Sequence, residues 1–185
     1  MPVWYIIAVL VALAEDFARP EVLNIPGVIN GQAVMYAYLG LSTGDLISGL
    51  LSQWWKSRKK VVALYLTLSM SLVILYLFTT SGKSSTYFYT IVFLVGVATG
   101  YWALFVSIAA EQFGTNIRST VTTTVPNFVR GAVIPITALF KLLETPLGTI
   151  GSALFVGIVS IGLAAFALRG LKETFAKDLN YIETL

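Results

Sequence analysis

The sequence predicts an all-α membrane protein: a six-transmembrane-helix bundle made of two three-helix repeats, with a short or truncated first helix. Three observations lead there. Hydrophobic residues make up 57% of the chain and charged residues only 11%, well under the roughly 25% charge typical of soluble domains. The apolar residues fall into six runs separated by polar or Gly/Pro-containing stretches. The basic residues outside these runs gather on alternate connections, as they do in multi-pass membrane proteins. With no Cys and no His, disulfides, thiol nucleophiles, His-held zinc or haem and imidazole proton relays are excluded. A formal charge of +3 argues topology and not nucleic-acid binding. No cofactor and no metal site is expected.

The first run, residues 3–14, would span only ~18 Å as helix, short for a ~30 Å hydrocarbon core. No Lys or Arg precedes it, so it lacks the basic start of a signal peptide. It reads as the remaining part of a longer helix, cut or shortened at Met1. Residues 17–30, with Pro20, Asn24, Pro26, Gly27 and Asn30, have the composition of a loop with room for one helical turn. The second span, 31–54, carries Gln32, Tyr36, Gly40 and Thr43 at helical spacing, then Asp45 and Ser48. It closes in Trp54 and Trp55, suited to a membrane interface, and in the basic run Lys56, Arg58, Lys59 and Lys60. The third span, 61–80, has no charge, and a polar turn over 81–86 leads to the fourth, 87–110. There Gly96 and Gly100 form a GxxxG that permits close helix approach, a weak signal alone. A connector over 111–119 precedes the fifth span, 120–143. Glu144, Pro146 and Gly148 turn the chain into the sixth, 149–168. The tail, 169–185, is polar, with Leu171, Phe175, Leu179 and Ile182 spaced as on an amphipathic helix.

The fifth span holds an arginine near its middle. Arg130 would cost roughly 2.5 to 3.5 kcal/mol facing lipid at the bilayer centre, so it belongs against a protein interior or a watery cavity. Thr123, Asn127, Arg130 and Thr137 share one helical arc, while Val125, Phe128, Val133 and Ile136 occupy other faces. Pro126 and Pro135 bracket Arg130, each removing a backbone donor and predicting a kink. Two roles stand open for Arg130: a structural tie to a carboxylate or to freed carbonyls, or a substrate contact. Its planar fork suits carboxylate or phosphate. Asn127 and Thr123 share its arc, and Tyr101 and Trp102 on the fourth span offer apolar surface or hydrogen bonds, with plain core packing as their alternative. Tyr36 and Gln32 complete the candidate substrate-binding set.

Loop charges predict the orientation. Lys56, Arg58, Lys59, Lys60, Arg118, Arg169, Lys172 and Lys177, eight residues, fall on one side, and Arg19, Lys83 and Lys141, three residues, on the other. The positive-inside rule makes the eight-charge side, with the tail, cytoplasmic. The expected location is a plasma or inner membrane, multi-pass.

Three stretches carry a family resemblance. Residues 49–60, GLLSQWWKSRKK, resemble the loop signature GxLaDrxGrkx of the major facilitator superfamily, matching at Gly49, Leu51, Arg58 and Lys59. Gln53 stands where that signature has Asp, Ser57 replaces its second Gly, and one residue is inserted. Residues 110–120, AEQFGTNIRST, are similar to the ExxPTxxRxT connector before the family's eleventh helix, at Glu111, Thr115, Arg118 and Thr120, with Gly114 in place of Pro. The tail is similar to the ETKGxxLEEI ending of sugar and metabolite porters at Glu173, Thr174, Leu179 and Ile182. The resemblance implies the carboxyl-terminal six-helix half, helices seven to twelve, of a twelve-helix transporter. Four of these, seven, eight, ten and eleven, would line the cavity. It also implies that Glu111, Arg118 and Glu173 act as gating salt-bridge residues, with solvated loop charges of no role as the alternative; Arg58 of the matched loop joins this set, and Asp45, two helical turns before Gln53, would do the work of the signature's missing Asp. No counterpart of the glutamine-rich sugar motif of helix seven is present, which weakens a hexose assignment.

The function expected is half of a secondary active transporter, not an enzyme, moving a small polar or anionic metabolite by alternating access with or without a coupling ion. Its partners would be the lipid bilayer, the small-molecule substrate, and an amino-terminal six-helix half or a second copy of itself. The alternatives are a homodimeric half-size transporter and a non-transporting membrane adaptor or regulatory half-protein.

Overall fold

The computed structural model describes residues 1–177 and Ile182. Among these residues all regular structure is helical, with no strand. The elements are α1 (Pro2–Val11), α2 (Ala14–Ala18), α3 (Asn30–Trp55), α4 (Arg58–Thr79), α5 (Ser85–Thr99), α6 (Trp102–Glu111), α7 (Thr115–Gly131) and α8 (Val133–Gly170). Four stretches are long and apolar enough to cross a membrane: α3, α4, α5 with α6, and α7 with α8.

The last of these is 56 residues long, ~84 Å if straight, and it doubles back. Arg118, near its start, donates to the carbonyls of Ala110 and Phe113, next to Glu111. Glu111 pairs with Arg58, and the neighbouring Lys59 holds the carbonyl of Arg169 near the stretch's other end. Both ends therefore meet at the basic end of the molecule. The reversal falls at Gly148, where φ is +69° and ψ 170°, a conformation open to glycine but strained for residues with a Cβ. Pro135 sits in the first turn of α8, where its missing N–H costs no helical bond. The break at Ala132 lies between the two prolines that bracket Arg130.

A seam of small residues joins α3 to α5. The buried positions of α3 are Ala33, Ala37, Gly40, Gly44, Ser48 and Ser52, all small and spaced by three or four, which brings one face of the helix within backbone contact of its neighbour. Opposite them stand Gly96 and Gly100. A methyl on Gly96 would lie 2.9 Å from the Ala37 carbonyl carbon and nearer still to its oxygen, and one on Gly40 would lie 2.9 Å from the Val97 nitrogen. The GxxxG of the fourth span is thus half of a pair, and Gly40 with Gly44 is the other half.

The short first run forms the most enclosed part of the core. Tyr5, Ile6, Val9, Leu10, Val11, Ala14 and Phe17 are fully shielded. Over Ile6–Val11 the backbone winds as a π-helix, so the Ala12 N–H reaches the Ile7 carbonyl at 2.9 Å. The carbonyl of Leu10 accepts from the Tyr76 hydroxyl of α4 at 2.8 Å, and the Tyr5 hydroxyl donates to the Ala153 carbonyl of α8 at 2.6 Å. Glu15 and Asn30 exchange two hydrogen bonds of 2.8 Å, each side chain accepting the other's backbone N–H, which ties α2 to the start of α3.

Three expectations need correction. The run over 87–110 is two helices, broken at Gly100 and Tyr101. Only residues 112–114 separate α6 from α7, so most of the connector over 111–119 is helical. The helical tail does not form over residues 171–177. There the Glu173 carboxylate accepts the backbone N–H of Thr174 and of Phe175 at 3.0 and 3.1 Å, a local side-chain bond that competes with helix formation. Leu179 lies outside the described residues.

Candidate functional site

Arg130 stands in the last turn of α7 with its side chain exposed. Thr123, Asn127 and Arg130 form one ladder on that face. The Thr123 hydroxyl donates to the Ser119 carbonyl (2.6 Å) and the Asn127 amide to the Thr123 carbonyl (3.0 Å). The Asn127 oxygen in turn accepts from Arg130 Nη1 at 3.4 Å. The guanidinium carbon lies 5.7 Å from the Trp4 ring centroid, within cation–π range. Trp4 meets Trp102 edge-on at 5.7 Å, and Trp102 leans on Phe105 at 5.4 Å. Among the described residues, the ion pairs are Arg19–Asp16, Arg58–Glu111 and Lys141–Glu144. Arg130 is thus tied to no carboxylate and no main-chain carbonyl, and beyond the long bond to Asn127 its exposed guanidinium, with five donors, stands beside an aromatic wall.

The wall rests on the helix break. At Gly100 and Tyr101 the backbone leaves helical geometry, with ψ of 48° and 16°, where Gly100 lies against the Gly44 backbone of α3. The freed donors at the start of α6 are met from across the bundle: Asp45 Oδ1 accepts the Ala103 N–H at 3.1 Å. A carboxylate at a helix N-terminus also complements the helix dipole. Asp45 therefore caps a broken helix, in place of the salt bridge expected of it. Tyr101 is buried, edge-on to Tyr65 at 6.1 Å, and the Tyr65 hydroxyl donates to the Gly44 carbonyl. Of the two aromatics only Trp102 reaches the Arg130 face, while Tyr101 packs the interior. Tyr36 and Gln32 are not brought there. Tyr36 stacks on Tyr89 at 5.2 Å, and nine residues of α3, ~13 Å of helix, separate it from Asp45. Gln32 is exposed one turn nearer the start of α3.

At the basic end the expected trio resolves into separate contacts. Arg58 and Glu111 form an ion pair with side chains only 17% and 13% exposed, so salt screens it less than a surface pair. The Arg58 guanidinium also lies 6.0 Å from the Phe175 ring centroid. Among the described residues Glu173 forms no ion pair. Its carboxylate accepts from the Ser57 hydroxyl and from the backbone N–H of Arg58 (3.0 Å) and Lys59 (3.3 Å), closing the N-terminus of α4. Burial works against the Glu173 charge, but the bonds from Ser57, Phe175, Arg58 and Lys59 outweigh it and lower its pKa to about 2. Lys59 reciprocates: its ammonium donates to the carbonyls of Arg169 (3.0 Å) and Leu171 (2.9 Å), closing the C-terminus of α8. The start of α4 and the end of α8 thus cap each other. Arg118 closes the end of α6.

Neither Trp4 as the partner of Arg130 nor Ser57 and Lys59 as capping residues at the basic end was foreseen from sequence. Ser57, directly before a helix and three residues before Lys60, is an N-cap signal that could have been read. Trp4 carries no such signal, because a short apolar run does not say which face meets an arginine more than a hundred positions away. No protein-family model, curated protein or solved structure matches the chain.

Proposed function

We propose that the chain is the carboxyl-terminal six-helix half, two three-helix repeats, of a secondary transporter of the major facilitator superfamily, and that it moves a small anionic or polar metabolite by alternating access. The observation that carries the reading is Arg130. It lies ~15 Å along the helix from Thr120 and ~18 Å from Arg118 at the basic end, about half a hydrocarbon thickness, with open donors beside Trp4 and Trp102. Alternating-access transporters hold substrate at that depth, next to broken helices, and the α5–α6 break capped by Asp45 is such a feature. In this mechanism Arg130 grips a carboxylate or phosphate through its fork, Asn127 orients the guanidinium, and Trp102 covers the apolar part of the substrate.

The basic end is cytoplasmic in this reading, by the eight-to-three charge asymmetry. There the Arg58–Glu111 pair and the α4–α8 cap hold the closed cytoplasmic gate. Single exposed pairs contribute ~0 to 1 kcal/mol, but several contacts made in one conformer and broken in the other suffice to bias states a few kcal/mol apart. The cavity is completed by an amino-terminal half. Leu46 and Leu50 on α3 and Phe128 on α7 are 72% to 81% exposed, apolar surface open to lipid, to that half or to a second copy in its place.

The test is uptake of organic anions by proteoliposomes holding the full assembly, with Arg130→Lys and Arg130→Ala compared and thermal stability recorded alongside. Lys keeps the charge and loses the fork, so both variants are expected to lose substrate affinity at unchanged melting temperature. If Lys preserves affinity while Ala merely unfolds the protein, Arg130 is a structural tie and the anion reading fails.

A further inference from the structure

A groove of about 750 Å³ runs between α4 and the returning arm of α8. Its mouth, at the basic end, carries Lys59, Lys60 and Arg169 against the single carboxylate of Glu173. That carboxylate is already taken up by the N-terminus of α4, and Lys59 is committed to the end of α8. Lys60 and Arg169 are exposed. Below the mouth the lining is apolar apart from Thr67, whose hydroxyl is spent on the Ala63 carbonyl at 3.0 Å: Ala63 and Ala165 stand on the flanking helices and leave the space open, while Leu66, Ile161 and Leu168 form the floor. The groove follows α4 from Lys60 to Met70, ten residues or ~15 Å, which is the depth of one leaflet's hydrocarbon.

We infer that this groove binds one anionic phospholipid, its phosphate between Lys60 and Arg169 and an acyl chain lying over Ala63 and Ala165 against the floor. The occupant follows from the combination of features. A soluble anion would use the mouth and have no use for the apolar slot, and a zwitterionic lipid would fill the slot without drawing on the surplus cations. An anionic lipid uses both. Basic side chains at a membrane surface attract such headgroups, and the flexible thioether of Met70 at the groove's deep end adapts to a mobile chain. Capture here would brace the α4–α8 junction, the place where the two helices cap each other.

The test uses the purified full chain in uncharged detergent and native mass spectrometry with phosphatidylglycerol, phosphatidylcholine of the same chain length, and glycerol 3-phosphate. Phosphatidylglycerol is expected to be retained in preference to phosphatidylcholine, and glycerol 3-phosphate not to compete at concentrations where the lipid saturates. The double variant Lys60→Gln/Arg169→Gln should weaken phosphatidylglycerol binding roughly ten- to thirtyfold, from two cations near the surface, while Lys83→Gln on the opposite loop changes nothing. Ala165→Trp should fill the slot and abolish retention of both lipids with the cations intact, and Ala63→Leu serves the same purpose if the larger change disturbs folding. Unchanged phosphatidylglycerol binding in the double variant or in both slot-filling variants, or displacement of the lipid by equimolar glycerol 3-phosphate, overturns the assignment.

Discussion

Gly96→Ala tests the α3–α5 seam most directly. The added methyl would stand 2.9 Å from the Ala37 carbonyl carbon, against roughly 3.5 to 4.0 Å for carbon atoms at their best separation. The two helices must therefore part by about 0.6 to 1 Å, and a gap of that size forfeits about a quarter to a half of each dispersion contact across it. Overpacking of this kind costs about 1 to 3 kcal/mol. Alanine in place of glycine also favours a helix by about 1 kcal/mol, which would mask part of the effect. Gly49→Ala on α3 removes that ambiguity, since nothing lies within 4 Å of a methyl there and it receives the same propensity gain. The difference between the two variants is the steric cost alone. At about 2 to 4 °C per kcal/mol for a chain of this size, Gly96→Ala should melt roughly 2 to 12 °C below Gly49→Ala. The assay is thermal unfolding in detergent micelles followed by tryptophan fluorescence, with four Trp residues as reporters. A melting temperature for Gly96→Ala equal to or above that of Gly49→Ala would show that these backbones are not in contact.

Two other perturbations follow from the basic end and the charge pattern. The pKa of Glu173 is held at about 2, below its ordinary 4.5, so its docking on α4 contributes stability above about pH 5 that fades as pH falls towards 2. A nitroxide on Lys172→Cys should be immobile at pH 7 and gain mobility between about pH 4 and 2, whereas Glu173→Gln should mobilise it at every pH; an immobile label in the Gln variant would remove Glu173 from the cap. For orientation, the chain has no native Cys, so impermeant maleimide applied outside intact cells should label Lys83→Cys and spare Lys172→Cys. The reverse pattern would invert the topology.

Much of the helical outline was legible in the chain. Hydropathy and length are properties of each residue and its near neighbours, and they located the second and third spans to within three residues at either end. The turn at Gly148 was readable because Glu144, Pro146 and Gly148 interrupt an apolar run. The arc joining Thr123, Asn127 and Arg130 was legible because it lies within one helix, where spacing alone decides which side chains are neighbours. The same rule fails between helices. Gln32 and Tyr36 shared the polarity of a cavity face but not the depth of Arg130, and polarity does not encode depth.

The sequence by itself determined that this chain is helical and apolar enough for a membrane, where its second and third long helices lie, and at which ends its charges collect. The tertiary structure alone decided the partners. The break at Gly100 lies inside an unbroken apolar run, and it is accommodated across the bundle, where Gly44 packs against it and Asp45, 58 positions from Ala103, receives the amide that the break exposes. Glu173 reaches Ser57 across 116 positions, and Arg130 faces Trp4 across the bundle. Such contacts depend on how helices are placed in space. Helical periodicity fixes neighbours only within a turn or two, and the packing of one helix on another sets the rest.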